Sequence, residues 1–186
     1  MKNQLPEIDH TWTLFLDRDG VINVEIPGDY VNHWNDFKFY PGAAEAIAKL
    51  RSHFSHIMVV TNQRGIARGR TRETDLIEIH QNLMQRIEDL GGKIDRIYFC
   101  PDLDSASPNR KPQSGMAFQS KADFPTIDFN RSIMVGNTLS DMRFGKNLGM
   151  FTIFIPSTHP EISTSHPDVD LVLEGLHALP DWISNR

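Results

Sequence analysis

At 186 residues with a net charge of −5, the chain has the length of one domain with a sizeable core, and nothing in its composition calls for a second. The acidic balance excludes a broad electrostatic attraction to nucleic acid or to an anionic membrane, so an anionic ligand must be held by local groups. With 39% hydrophobic and 23% charged residues and no run near the ~20 apolar residues of a membrane span, the chain reads as an ordinary globular protein.

The opening "MKNQLPEIDHTW" lacks the apolar core of a signal peptide, so the cytoplasm is the expected location. A first strand, Trp12 to Leu16, then delivers "LFLDRDGVIN". Asp17 and Asp19 are two apart, and in extended backbone such residues share a face. Carboxylates that close repel unless a cation or a shared proton relieves them, and a hard divalent ion such as magnesium prefers oxygen ligands. A solvated turn is the plain alternative, because Asp and Gly are common in turns. The segment 24–40 is long, irregular and rich in Pro, Gly and Asp, which suits a functional loop. In it, Tyr30, His33 and Trp34 are expected to pack within the loop before they touch a ligand.

A helix over Gly42 to Ser52 leads to a second strand, His56 to Val60, followed at once by Thr61, Asn62 and Gln63 and then by Gly65 and Gly69. A hydroxyl beside exposed backbone N–H groups suits a phosphate oxygen, although Thr and Asn also populate ordinary loops. The next helix spans Arg72 to Leu90, with Ile77, His80, Leu83, Met84, Ile87 and Leu90 expected to form its apolar face and His80 to be a core residue. "LGG" ends it.

The third strand, Arg96 to Cys100, closes on the only cysteine, a thiol expected to be partly buried; one cysteine excludes an internal disulfide. The loop that follows ends in "NRKPQSGM". Arg110 and Lys111 form either an exposed basic pair or a point charge and a two-pronged clamp for phosphate. After a helix over Gly115 to Asp123, a fourth strand, Ser132 to Val135, runs into Gly136, Asn137, Thr138 and Asp141. Thr138 to Asp141 matches a capping box for a helix over Ser140 to Leu148, with either Asn137 or Thr138 suited to be its cap. Strands at Phe151 to Ile155 and Val169 to Leu173 and a helix at Glu174 to Ile183 complete the chain.

Strands alternating with helices predict an α/β fold with a central parallel sheet, and ligands bind outside the carboxyl ends of such strands. There an acid pair, a hydroxyl, a lysine and an amide-acid pair stand at the ends of four successive strands. With these motifs, the sequence resembles the haloacid dehalogenase (HAD) superfamily of phosphatases: Asp17-Arg18-Asp19-Gly20-Val21, Thr61, Lys111, and Gly136 to Asp141. "FLDRDGVIN", "VVTNQRGIARG", "FCP" and "RKPQSGM" look like the D,D-heptose 1,7-bisphosphate phosphatases and the related histidinol-phosphatases, over about Thr13 to Leu179.

The resemblance implies a three-layer Rossmann-like fold and one domain over 1–186. The segments after the first two strands are too short for a separate cap domain of ~50 residues. It implies Asp17 as nucleophile forming an aspartyl-phosphate, Asp19 as acid and then base, and Thr61 and Lys111 holding the phosphoryl oxygens. Asn62, Gln63, Arg110 and Thr138 would line the substrate site. Magnesium would lie among Asp17, Asp19 through its backbone carbonyl, and Asn137, with Asp141 assisting directly or through water.

Two departures stand out. The heptose phosphatases carry several Cys and a His after the third strand, whereas "CPDLDSASPNRKP" has one thiol and no His, so no structural zinc is expected. Asn137 stands where the family usually has a metal-binding Asp, which removes one charge from the site and should lower metal affinity. The expected partner is a small phosphorylated metabolite, a sugar phosphate such as D-glycero-D-manno-heptose 1,7-bisphosphate, with histidinol phosphate or another metabolite as the alternative. A third possibility is a phosphate-binding or interaction protein without catalysis. A monomer or weak homo-oligomer is expected.

Overall fold

The computed structural model describes residues 7–162 and 165–185; residues 1–6, part of the segment read above as lacking a leader's apolar core, lie outside them. Six strands, β1 (Thr13–Leu16), β2 (His56–Asn62), β3 (Arg96–Cys100), β4 (Ser132–Gly136), β5 (Phe151–Phe154) and β6 (Leu171–Val172), form one parallel sheet in the order β3-β2-β1-β4-β5-β6. Helices α1 (Ala43–Leu50), α2 (Glu73–Asp89), α3 (Gly115–Asp123), α4 (Leu139–Asn147) and α5 (Leu179–Ser184) cover it. The result is the α/β Rossmann-like architecture expected, with no separate cap among the described residues.

Alternation along the strands builds two cores. Leu14, Leu16, Ile57, Val59, Ile133 and Val135 point to the face covered by α1, α2 and α5, where they meet Ile47, Ile79, Leu83 and Leu179. Phe15, Met58, Val60 and Met134 point the other way, to Met116 and Ala117 of α3 and Phe144 of α4. Each fully buried aliphatic side chain of this kind stabilises the fold by about 1.5–3 kcal/mol. Among the described residues no helix is long and apolar enough to cross a membrane.

Four expectations are corrected. β2 runs two residues further than predicted, because pairing with β3 continues through Thr61↔Phe99 and Asn62↔Cys100. Thr61 and Asn62 are thus ladder residues with fixed positions, not the start of a loop. On α2, Ile77 is 42% exposed, and the buried face is Leu76, Ile79, His80, Leu83 and Ile87. The last helix begins at Leu179, after a short 3₁₀ turn (Leu176–Ala178), and not at Glu174. Pro180 fits only the first turn of a helix, where its missing N–H has no partner to lose. β6 is two residues, shorter than predicted, since the Val169 N–H turns back to His166 O at 3.0 Å.

Candidate active site

Every residue singled out from the sequence as a candidate site residue lines one cleft of about 350 Å³ at the carboxyl ends of β1, β2 and β4. The Asp17 N–H donates to Val135 O at 2.9 Å, extending the β1–β4 pairing by one residue and fixing where the carboxylate leaves the sheet.

Lys111 is the centre of the buried half. Its Nζ donates to Asp17 Oδ1 at 2.8 Å, to Asp141 Oδ1 at 2.6 Å and to Val60 O at 2.7 Å, which uses all three ammonium hydrogens. Burial disfavours its charge, but the Asp141 and Asp17 carboxylates outweigh burial and hold Lys111 above its ordinary value. Burial pushes Asp17 up to about 7 against the pull of Lys111, with the Asp141 and Asp19 charges adding to the rise. Asn62 locks the lysine's backbone: its Nδ2 donates to Lys111 O (3.2 Å) and its Oδ1 accepts from Lys111 N (3.0 Å).

Asp141 is committed on both oxygens. Oδ1 takes Lys111, and Oδ2 accepts from Asn137 N (3.2 Å), Thr138 N (3.0 Å) and Thr138 Oγ1 (2.7 Å). With Asp141 N reaching Thr138 Oγ1, this is the capping box of α4 predicted from the sequence. Gly136 makes the turn possible, since a Cβ there would lie 2.2 Å from Asp141 Cβ. Thr138 lines the cleft, yet its hydroxyl serves the cap.

Asp19 meets only donors. Arg18 Nη2 reaches both carboxylate oxygens at 2.9 Å, Asn23 Nδ2 donates at 2.9 Å and Gln63 Nε2 at 2.8 Å. Burial pushes this carboxyl up, but the Arg18 charge and the hydrogen bonds from Asn23, Arg18 and Gln63 together leave it below the usual value. Gln63 Nε2 also donates to Thr61 Oγ1 (2.9 Å), so the threonine hydroxyl keeps its own hydrogen for another acceptor.

The Asn137 amide stands 3.2 Å from Asp17 Oδ2 and 3.1 Å from Asp19 O, with Thr158 Oγ1 2.6 Å from its other end. With the amide oxygen inward, three acceptor oxygens face one another, a set that a hard cation joins. With the nitrogen inward, Nδ2 donates to both neighbours and the oxygen accepts from Thr158. The donor set therefore fits magnesium, and the same amide satisfies itself without one. Gly20, at φ +85°, is required beside it: a Cβ there would lie 2.0 Å from Asn137 Nδ2.

The rim is basic. Arg64, Arg68 and Arg110 line the cleft; Arg110 Nη1 donates to Asp102 O (3.1 Å), and Arg68 Nη1 to Tyr30 OH (2.9 Å). Tyr30 borders the cleft, whereas Trp34 stacks on Phe37 at 4.9 Å within its loop. Cys100 is fully buried, not partly as expected; Sγ lies 3.6 Å from Asp102 Oδ2, which also accepts from Ser107 Oγ.

The pattern of the polynucleotide kinase 3 phosphatase family matches residues 14–165. A D-glycero-alpha-D-manno-heptose-1,7-bisphosphate 7-phosphatase of Mycobacterium tuberculosis is 41% identical over 140 residues, 75% of this chain and 74% of its own. The chain belongs to the HAD phosphatases, in the heptose-bisphosphate phosphatase family. A D-glycero-beta-D-manno-heptose-1,7-bisphosphate 7-phosphatase of Vibrio cholerae is 35% identical over 179 residues, covering 91% of this phosphatase and 95% of its own chain. The crystal structure of D,D-heptose 1,7-bisphosphate phosphatase from B. bronchiseptica, complexed with magnesium and phosphate, superposes with a TM-score of 0.84 at 26% identity, covering 94% of this phosphatase and 98% of that chain.

Arg18, Asn23, His80 and Thr158 belong to the site's hydrogen-bond network and were not singled out as site residues from the sequence. Arg18 and Asn23 lie within "DRDGVIN", where closeness in sequence to Asp19 signals them; nothing local in the sequence signals His80 or Thr158.

Proposed function

We propose that the phosphatase hydrolyses a phosphomonoester of a heptose bisphosphate through an aspartyl-phosphate on Asp17, with residues 1–186 acting as one domain whose open cleft is bordered by loops. The observation that carries the mechanism is the Asp17 carboxylate held 2.8 Å from Lys111 Nζ at the floor of the cleft, with Asp19 beside it. The Asp17 carboxylate attacks phosphorus as the bond to the leaving alcohol breaks, and Asp19 gives its proton to the alcohol oxygen. Asp19 then takes a proton from water, whose oxygen attacks phosphorus and frees Asp17 and inorganic phosphate. Lys111 offsets the negative charge that gathers here, and the free hydrogen of Thr61 Oγ1 points the way for a phosphoryl oxygen.

The oxygens of Asp17 and Asn137 and the backbone carbonyl of Asp19 would hold magnesium, which supplies charge neutralisation for an anionic nucleophile meeting an anionic phosphate. Asp141 serves the site through Lys111. For the substrate, the relatives are named for heptose bisphosphates, and the Arg64, Arg68 and Arg110 rim supports a second phosphate beyond the one that reacts. Turnover of both anomers of the heptose bisphosphate and of histidinol phosphate, measured with magnesium, tests this. A heptose bisphosphate should have the highest kcat/KM; faster histidinol phosphate would overturn the substrate, and no turnover of any by folded protein would overturn the enzyme.

A further inference from the structure

We infer that His80, on α2, is a positioning residue for Asp19 and acts through Arg18, an inference that rests on Asp19 being the acid proposed above. Arg18 is only 1% exposed, and its guanidinium is held at two places: Nη2 on both oxygens of Asp19 at 2.9 Å, and Nη1 on His80 Nε2 at 3.2 Å. Its Nε has no hydrogen-bond partner among the described residues. A guanidinium carries donors and no acceptor, so the His80 nitrogen facing it presents a lone pair. The ring is then neutral, with its proton on Nδ1. Burial and the Arg18 charge both favour that form and take His80 down to about 3.

The geometry makes the His80 contact decisive. Because one nitrogen of Arg18 grips both Asp19 oxygens, a rotation of the guanidinium disturbs both contacts together. Among the described residues Nε has no hydrogen-bond partner, so beyond the packing of a buried side chain the His80 bond is the one hydrogen bond outside Asp19 that opposes that rotation. The ring itself is anchored: α2 buries Leu76, Ile79, Leu83 and Ile87 in the core, and the His80 ring meets Phe99 of β3 edge-on at 5.8 Å. A rigid helix thus fixes the orientation of a carboxyl group whose task depends on reaching one oxygen of the substrate, and a displacement of about 1 Å at such a group costs on the order of a hundredfold in rate.

The experiment compares two leaving groups. Cleaving an alkyl phosphate needs a proton delivered to the departing oxygen, whereas para-nitrophenol leaves without one. Since kcat/KM reports the first phosphoryl transfer, it isolates the acid role from the later hydrolysis. For His80→Leu we expect kcat/KM to fall by about tenfold or more on the sugar phosphate and by less than about threefold on para-nitrophenyl phosphate, general acids contributing on the order of 10²–10⁴ in all. His80→Gln, which places an acceptor oxygen near Nε2, should return the alkyl-to-aryl ratio to within about threefold of the parent, as restored positioning requires. Equal losses on both substrates, no loss on either, or a glutamine variant no better than leucine would overturn the inference. If His80→Leu does not fold, His80→Ala carries the same comparison. Asp19→Asn is measured beside them. If it loses activity selectively on the alkyl substrate, the acid assignment stands and the His80 result judges this inference alone; if it keeps alkyl activity, the acid assignment fails and the inference with it.

Discussion

Asp17 and Asp19 stand two residues apart at one strand end and meet opposite surroundings. Asp17 shares a single buried lysine with Asp141 and has a second carboxylate, Asp19, nearby, so burial lifts it to about 7. Asp19 is ringed by Arg18, Asn23 and Gln63 and lies below its ordinary value despite burial. One residue type at one end of one strand is thus given two opposite environments by its neighbours. At rest the order is the reverse of what a nucleophile and an acid require: the nucleophile works ionised and the acid protonated. In the mechanism proposed above, a cation beside Asp17 would lower it and a phosphate dianion near Asp19 would raise it, which would bring the two carboxyls into working order.

The contrast can be broken from either side. Asp17→Asn should cost at least about a thousandfold in kcat, because no other group replaces a nucleophile, while the melting temperature stays near or above that of the parent. Asp19→Asn should cost about 10²- to 10³-fold on an alkyl phosphate and far less on an aryl one. Comparable losses in both variants on both substrates would erase the difference in roles. Lys111→Met leaves Asp17 and Asp141 buried without their cation and should destabilise the fold by roughly 3–5 kcal/mol in urea unfolding.

Asn137→Asp puts a third carboxylate against Asp17 and Asp141. The magnesium concentration for half-maximal rate should fall by about tenfold, one unit of charge being worth on that order in a cation site. Without magnesium the variant should melt lower than the parent, because an Asn137 amide that donates to Asp17 Oδ2 and Asp19 O is lost. Unchanged magnesium dependence would remove residue 137 from the metal site.

A further effect tests the Asp19 side through pH. His80 is depressed from 6.5 to about 3, so between those values the unfolded chain binds a proton that the native ring refuses. The unfolded state then holds more protons, stability rises with pH in that window, and the contribution is lost as pH falls. Relative to His80→Gln, the parent should lose about 2 kcal/mol between pH 7 and pH 5 in urea unfolding. A constant difference would mean that the ring titrates normally.

Much of this was open to inspection in the sequence. Strand alternation placed the sheet, and the apolar runs ending in "LD", "VTN" and "VGN" located the cleft, because period-two burial and polar strand ends are local signals. Ile77 misleads because three- and four-residue spacing identifies a stripe without fixing its centre, and only tertiary packing decides that Leu76 and Ile79 turn inward. His80 lies 62 residues from Arg18, and Thr158 is 21 from Asn137 in a different loop, so no local pattern joins them. For Asp141 the resemblance implies help to magnesium, directly or through water, whereas its partners here, Lys111 and the Thr138 turn, are visible only in the fold.

The central claim is that Asp17 carries the phosphoryl group between the two steps. Acid quenching during turnover, followed by peptide mapping for a phosphoryl adduct, tests it most directly. The adduct is expected on Asp17 and should be lost in Asp17→Asn. An adduct on Asp19 or another residue, or no adduct together with continued turnover by Asp17→Asn, would contradict it.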